Sequence, residues 1–165
     1  MRKLGNTEIK INRVGFGGIP IQRITQEDTN LVINELINQG VNFIDTARGY
    51  TISEEYIGNA IDGKRDRFIL ATKSMARTYD AMTEDVKKSL INLKTDYIDL
   101  YQFHNVKPEE YDKIFNDDMA YKALLDFKKK GKIRYIGITS HSIDTIKKAV
   151  YSGKFDTIQF PYNIV

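Results

Sequence analysis

Cysteine and tryptophan are missing altogether from the 165 residues, and there are only three prolines and two histidines. Without cysteine there is no disulfide framework and no thiolate metal site. No stretch approaches the ~20 consecutive apolar residues that a membrane span needs. The start Met1-Arg2-Lys3-Leu4-Gly5-Asn6 is basic but has no apolar segment behind it, so it does not read as a signal peptide. A dominant charge sign is missing as well: 25 basic side chains face 22 acidic ones, for a net charge of +3. Nucleic-acid binders usually carry a clustered basic face. The run Lys128-Lys129-Lys130-Gly131-Lys132 is local and reads as a solvated helix end, where cations suit the macrodipole. The expectation is a soluble cytoplasmic protein with neither a membrane nor a nucleic-acid partner.

What is present is a core-forming composition, 41% hydrophobic, enough for one domain over residues 1–165. Short β-rich runs alternate with amphipathic helical stretches. The runs are Val14 to Gly17, Asn42 to Asp45, Arg67 to Thr72, Tyr97 to His104, Ile133 to Thr139 and Phe155 to Phe160. They are apolar with β-branched or aromatic residues, as strands buried on both faces of a parallel sheet are. Between them, Thr25, Ser53 and Thr83 are placed to cap helices with acidic first turns, and Gly40, Gly63, Gly131 and Gly153 to end them. A further helix is expected after Ser142. Pro20, Pro108 and Pro161 fall in loops or at strand ends. Ahead of the first run, Arg2-Lys3-Leu4 and Ile9-Lys10-Ile11 flank Gly5-Asn6-Thr7 and predict a small hairpin.

Regular β–α alternation predicts a parallel α/β architecture. Two versions fit: a complete, doubly wound open sheet, or an incomplete (β/α) barrel, which at full size needs eight units and about 250 residues. Length alone favours the open sheet. The strand ends favour the barrel. In either architecture the active site lies at the carboxyl ends of the strands, and four successive strand ends carry Asp45 with Tyr50, then Lys73, then His104, then Ser140-His141.

Such a set makes sense as a proton-donating site. Tyrosine ordinarily titrates near about 10, but a neighbouring ammonium favours the phenolate. A carboxylate would hold that ammonium in place, and a histidine can hydrogen-bond a substrate oxygen. Hydride has to come from a cofactor, since no side chain supplies one. Taken singly the residues are weak signals: Tyr50 is one of ten tyrosines, and Asp45 could merely cap a loop. Lys73 is less easily set aside, because a lysine is rarely placed where a buried strand ends unless it is paired. His141 reads as structural, following its strand end by a residue. Gly15, Gly17 and Gly18 do not form a dinucleotide fingerprint, since the third glycine is misplaced and no helix follows at once.

The motifs in register resemble the aldo-keto reductases. They are Val14-Gly15-Phe16-Gly17-Gly18, Asn42-Phe43-Ile44-Asp45-Thr46-Ala47-Arg48-Gly49-Tyr50, Ala71-Thr72-Lys73-Ser74, Tyr97-Ile98-Asp99-Leu100-Tyr101-Gln102-Phe103-His104, Ile133 to Ser140 and Thr157 to Asn163. The resemblance implies an α/β fold: an incomplete TIM-type (β/α) barrel with six of eight parallel strands and an N-terminal β-hairpin plugging its bottom. It implies an oxidoreductase that reduces a small aldehyde or ketone with NADPH, or NADH. Asp45, Tyr50, Lys73 and His104 would be the catalytic set, with Tyr50 the general acid. Gly17, Gly18, Ile19, Asp45, Ser140, His141 and Gln159 would lie along the cofactor. The stretch Gly17 to Arg23 looks closest to a bacterial branch whose longer members end in an iron–sulfur domain, a cluster this cysteine-free chain cannot carry. Ile19, Pro20, Ile21 and Tyr79 are expected to line an apolar substrate pocket.

The chain stops at Val165, just past its sixth strand. In the family, the aromatic that stacks on the nicotinamide and the basic residues that grip the adenosine phosphate lie further on. Three readings therefore stay open: a truncated reductase with weak or lost cofactor binding and little or no turnover in this form, a chain that closes its edges with a partner copy and regains a usable site, or a non-catalytic binding or regulatory module on a reductase scaffold. Open barrel edges would invite self-association.

Overall fold

The computed structural model describes residues 1–163. A two-stranded antiparallel hairpin, β1 (Arg2–Lys3) and β2 (Lys10–Ile11), comes first. Six parallel strands follow: β3 (Phe16–Gly17), β4 (Phe43–Asp45), β5 (Ile69–Ser74), β6 (Ile98–Phe103), β7 (Ile133–Thr139) and β8 (Thr157–Gln159). They lie side by side in chain order. That order decides between the two architectures. A doubly wound sheet reverses direction at a switch point. Here every crossover steps the same way, so right-handed connections put all the helices on one face and the sheet curls as a barrel wall.

The helices are α1 (Gln26–Asn38), α2 (Ser53–Ala60), α3 (Tyr79–Asn92), the single turn α4 (Pro108–Tyr111), α5 (Ala120–Lys129) and α6 (Ile143–Ser152). Alternate strand residues Ile44, Leu70, Tyr101, Phe103, Ile136 and Ile138 pack with Ile33, Ile57, Met82, Val86 and Leu124 of the helices into one continuous core. Each such side chain, fully buried, contributes about 1.5–3 kcal/mol. The hairpin sits at the opposite end from the site: the Asn6 amide donates to Asp156 O at 2.8 Å, and the Glu8 amide to the Tyr135 hydroxyl at 3.1 Å. Asp99, at the same end, is 1% exposed and accepts from Arg65 (2.7 Å), Arg134 (3.0 Å) and the Leu70 amide (3.0 Å).

Local expectations hold unevenly. Thr25 caps α1 with a full capping box to Asp28, and Ser142 caps α6, which ends on left-handed Gly153. Ser53, expected as a cap, is instead the first helical residue of α2. Its buried hydroxyl donates to Gly18 O (2.8 Å) and bonds Thr46 Oγ1 (2.9 Å), tying the helix to the strand ends. α3 starts a turn earlier than expected: Thr78, four residues past the end of β5, caps it, and Thr83 lies inside. Only Phe16 and Gly17 of the first run pair, and Val14 is 66% exposed. Pro20 lies in a 3-10 turn (Ile19–Arg23), and Pro108 starts α4, where its missing N–H costs nothing. No helix among the described residues is long and apolar enough to cross a membrane.

Candidate active site

The carboxyl ends of β4 to β8 and their loops enclose a cleft of about 300 Å³ lined by Asp45, Tyr50, Lys73 and His104, by Thr139, Ser140 and His141, and by Gln159, Phe160 and Pro161. Lys73 is the last inward-facing residue of β5. Its ammonium, on a side chain 5% exposed, donates to Asp45 Oδ2 at 2.7 Å and to Thr46 O at 2.9 Å. A lysine this buried needs such partners, because an unpaired charge out of water costs several kcal/mol. Tyr50 rides on the loop between β4 and α2. The Lys73 ammonium lies 5.1 Å from the centre of its ring. His104, first residue after β6, meets Tyr50 edge-on, with ring centres 5.9 Å apart.

The electrostatics single out His104. Burial, then the positive charge of Lys73, hold its imidazole down at about 4, against the opposing pull of Asp45. At neutral pH the ring is uncharged and can offer one N–H. Its Nδ1 is buried with no hydrogen-bond partner among the described residues.

Gln102 is a residue that sequence reasoning passed over as part of a motif. Its amide donates to the other oxygen of Asp45, Oδ1, at 3.0 Å, from a position 2% exposed. A signal existed: a glutamine inside the apolar run Ile98–Phe103 must find a partner, since a buried amide left unpaired costs about 1–3 kcal/mol. Gly137 makes room for it, because a Cβ there would come within 3.0 Å of Gln102 Cγ and 2.4 Å of Thr157 Oγ1.

The cofactor candidates divide. Gln159 and His141 line the cleft, and Gln159 Nε2 reaches Asp45 Oδ2 at 3.4 Å. Ser140 also lines it, but its hydroxyl is engaged, donating to Val106 O (2.6 Å) and accepting from the Ser142 amide (3.0 Å). Gly17, Gly18 and Ile19 lie beside the cleft: Gly17 pairs with Asp45 across the β3–β4 ladder, and the Gly18 amide donates to Asp45 O at 2.8 Å. Gly17 has open space where a Cβ would be, whereas at Gly18 a Cβ would meet Ser53 Oγ at 2.9 Å. The expected apolar pocket does not assemble. Ile21 is 1% exposed and packs in the core, and Tyr79 turns to the outer helix layer, donating to Asp126 of α5 at 3.1 Å.

Comparison with known proteins agrees with this fold. The aldo/keto reductase family model matches residues 13–165. The chain is 36% identical to the uncharacterized oxidoreductase YqkF of Bacillus subtilis, covering 99% of this chain and 56% of that protein. It is 33% identical to the L-galactose dehydrogenase of Arabidopsis thaliana, over 87% of this chain and 49% of that one. The holo form of the aldo-keto reductase AKR11C1 from Bacillus halodurans superposes with a TM-score of 0.87 at 30% identity, over 99% of this chain and 58% of its own. The chain thus spans about half the length of these relatives, and across that span it belongs to the aldo/keto reductase family.

Proposed function

We propose that this rim reduces the carbonyl of a small aldehyde or ketone with NADPH or NADH, with Tyr50 as the general acid. The observation that carries the reading is the Lys73–Asp45 pair, its lysine buried, whose ammonium lies 5.1 Å from the Tyr50 ring centre. A bound nicotinamide supplies the hydride. Tyr50 gives its phenolic proton to the substrate oxygen, and the ammonium of Lys73 stabilises the phenolate left behind. Asp45 keeps the ammonium in place. His104, neutral, donates one hydrogen bond to the same oxygen and so fixes the carbonyl's orientation.

The residues present fit the nicotinamide end of such a cofactor. Asp45 offers a carboxylate to a ribose hydroxyl, and Gln159 has an amide whose 3.4 Å bond to Asp45 is weak enough to exchange for a carboxamide. Ser140 would have to turn its hydroxyl away from Val106 O to join it. Gly17 leaves space beside Asp45.

A panel of simple aldehydes with NADPH, then NADH, tests the reading on the chain as it stands. Turnover that disappears in Tyr50→Phe supports it. Saturable cofactor binding without turnover of any aldehyde or ketone would instead favour the scaffold reading.

A further inference from the structure

Three residues past the end of β5, Arg77 reaches across to the loop that follows β6. Its Nη2 donates to the main-chain oxygen of His104 at 2.8 Å and to Glu110 Oε2 at 3.1 Å, with Asn105 O at 3.5 Å. The guanidinium is largely buried, its side chain 16% exposed. Its backbone is fixed in turn, since Arg77 O accepts from the Ala120 amide at 2.9 Å. Glu110 closes the far side by accepting from the Lys107 amide at 2.9 Å.

The turn held in this way has Asn105 at φ +48, in the left-handed region, which asparagine tolerates better than most side chains and which its neighbours here fix. Thr139 imposes it from one side, accepting from the Asn105 amide at 2.8 Å through its hydroxyl and from the Val106 amide at 2.9 Å through its carbonyl. Arg77 acts from the other side, on the carbonyls. The His104 ring projects from the first residue of this turn.

We propose that Arg77 is a positioning residue for His104: braced by Glu110, its guanidinium fixes the His104–Asn105 turn and thereby the presentation of the imidazole to the cleft. For catalysis this matters only if the rim is the carbonyl-reducing site proposed above, but the positioning itself is independent of any cofactor or substrate.

The groups facing His104 are Asp45 from β4, Tyr50 from the β4–α2 loop, Lys73 from β5, Arg77 from the β5–α3 loop and His141 after β7. Loss of Arg77 removes one opposing positive charge and lets water reach the ring, and both changes favour the imidazolium. The test is ring-proton NMR of the free protein, with His141→Asn used to assign the two histidines. In the wild type His104 should titrate at about 4. In Arg77→Met its acid dissociation constant should fall about tenfold or more, with a displaced and broadened ring signal. Arg77→Lys keeps the charge but loses the planar fork, so its ring signal should also move.

A folded Arg77→Met with a wild-type His104 signal and titration would overturn the proposal. So would an Arg77→Lys indistinguishable from wild type, which would leave Arg77 a charge and not a brace. If Arg77→Met does not fold, the lysine variant decides alone. Turnover of aldehydes by the wild type is scored separately: its absence sinks the functional reading and leaves the positioning result standing, and a wild-type-like His104 in an active enzyme does the reverse.

Discussion

Two carboxylates, one at each end of the same sheet, differ in how far the fold closes them off. Asp99, at the start of β6, is 1% exposed, and two arginines and a backbone amide take up its oxygens. The two guanidiniums also stack on Tyr97, with their central carbons 4.4 and 4.0 Å from its ring centre. Asp45, at the end of β4, has one cation at 2.7 Å, one amide at 3.0 Å and a third donor at 3.4 Å, and its side chain is 14% exposed to a cleft. The first arrangement is saturated and sealed. The second is held firmly on one side and left open where a ligand would lie. Nearly the same residue types are closed off at the amino-terminal end and left open to a cleft at the carboxyl-terminal end, the end where a (β/α) barrel places its site.

Substitutions at both ends of the sheet and a pH series put that contrast to the test. The largest effect should come from Tyr50→Phe: loss of the general acid should lower turnover by about 10²–10⁴-fold while the thermal midpoint stays put, read by steady-state kinetics and calorimetry. Next is Asp99→Ala, which leaves the largely buried Arg65 guanidinium and the buried Leu70 amide without their acceptor and should destabilise the chain by about 3 kcal/mol in urea denaturation, while Arg134, 53% exposed, can turn to water. If Asp45→Ala cost as much as Asp99→Ala, the division between the two ends would be wrong. Gln102→Leu removes one donor from Asp45 and should cost about 1–2 kcal/mol, with a raised KM for the cofactor as its specific signature. A smaller effect is expected from acid. His104 is held below its ordinary 6.5, at about 4, so the native state favours its neutral form. Its contribution to stability is complete above 6.5 and is lost as the pH falls towards 4, and His104→Gln should flatten that part of the pH profile. The ring is only half-buried, so solvent screening keeps the effect modest. Smallest of all, Lys87→Ala, which breaks a 2.7 Å pair with Glu84 between side chains 56% and 62% exposed, should change stability by less than about 0.5 kcal/mol.

The sequence carried much of this, unevenly. Strand positions were legible because parallel strands read as unbroken apolar runs, and Thr25 and Ser142 because a cap is a local matter. The start of α3 and the role of Ser53 were not, because distant partners decide them: Ser53 bonds to Thr46 and Gly18 rather than to its own helix. Asp45, Tyr50, Lys73 and His104 were legible as strand-end residues, and the fold brings them to one cleft. Gln102 could have been found by asking what a glutamine does in a buried strand. Arg77 could not, since its partners are main-chain oxygens 27 and 28 residues away. Tyr79 misled because an aromatic near a strand end resembles a pocket wall until the helix that it begins turns it outward.

The central claim is that the open end of the sheet, built around Asp45, receives a nicotinamide. Its most direct test is to titrate NADPH, then NADH, into the purified chain at low salt and follow nicotinamide fluorescence and heat release. The account predicts saturable binding in the wild type that Asp45→Asn weakens by about tenfold or more, the loss of one charge-assisted hydrogen bond. No binding up to millimolar cofactor, or binding that Asp45→Asn leaves unchanged, would contradict it.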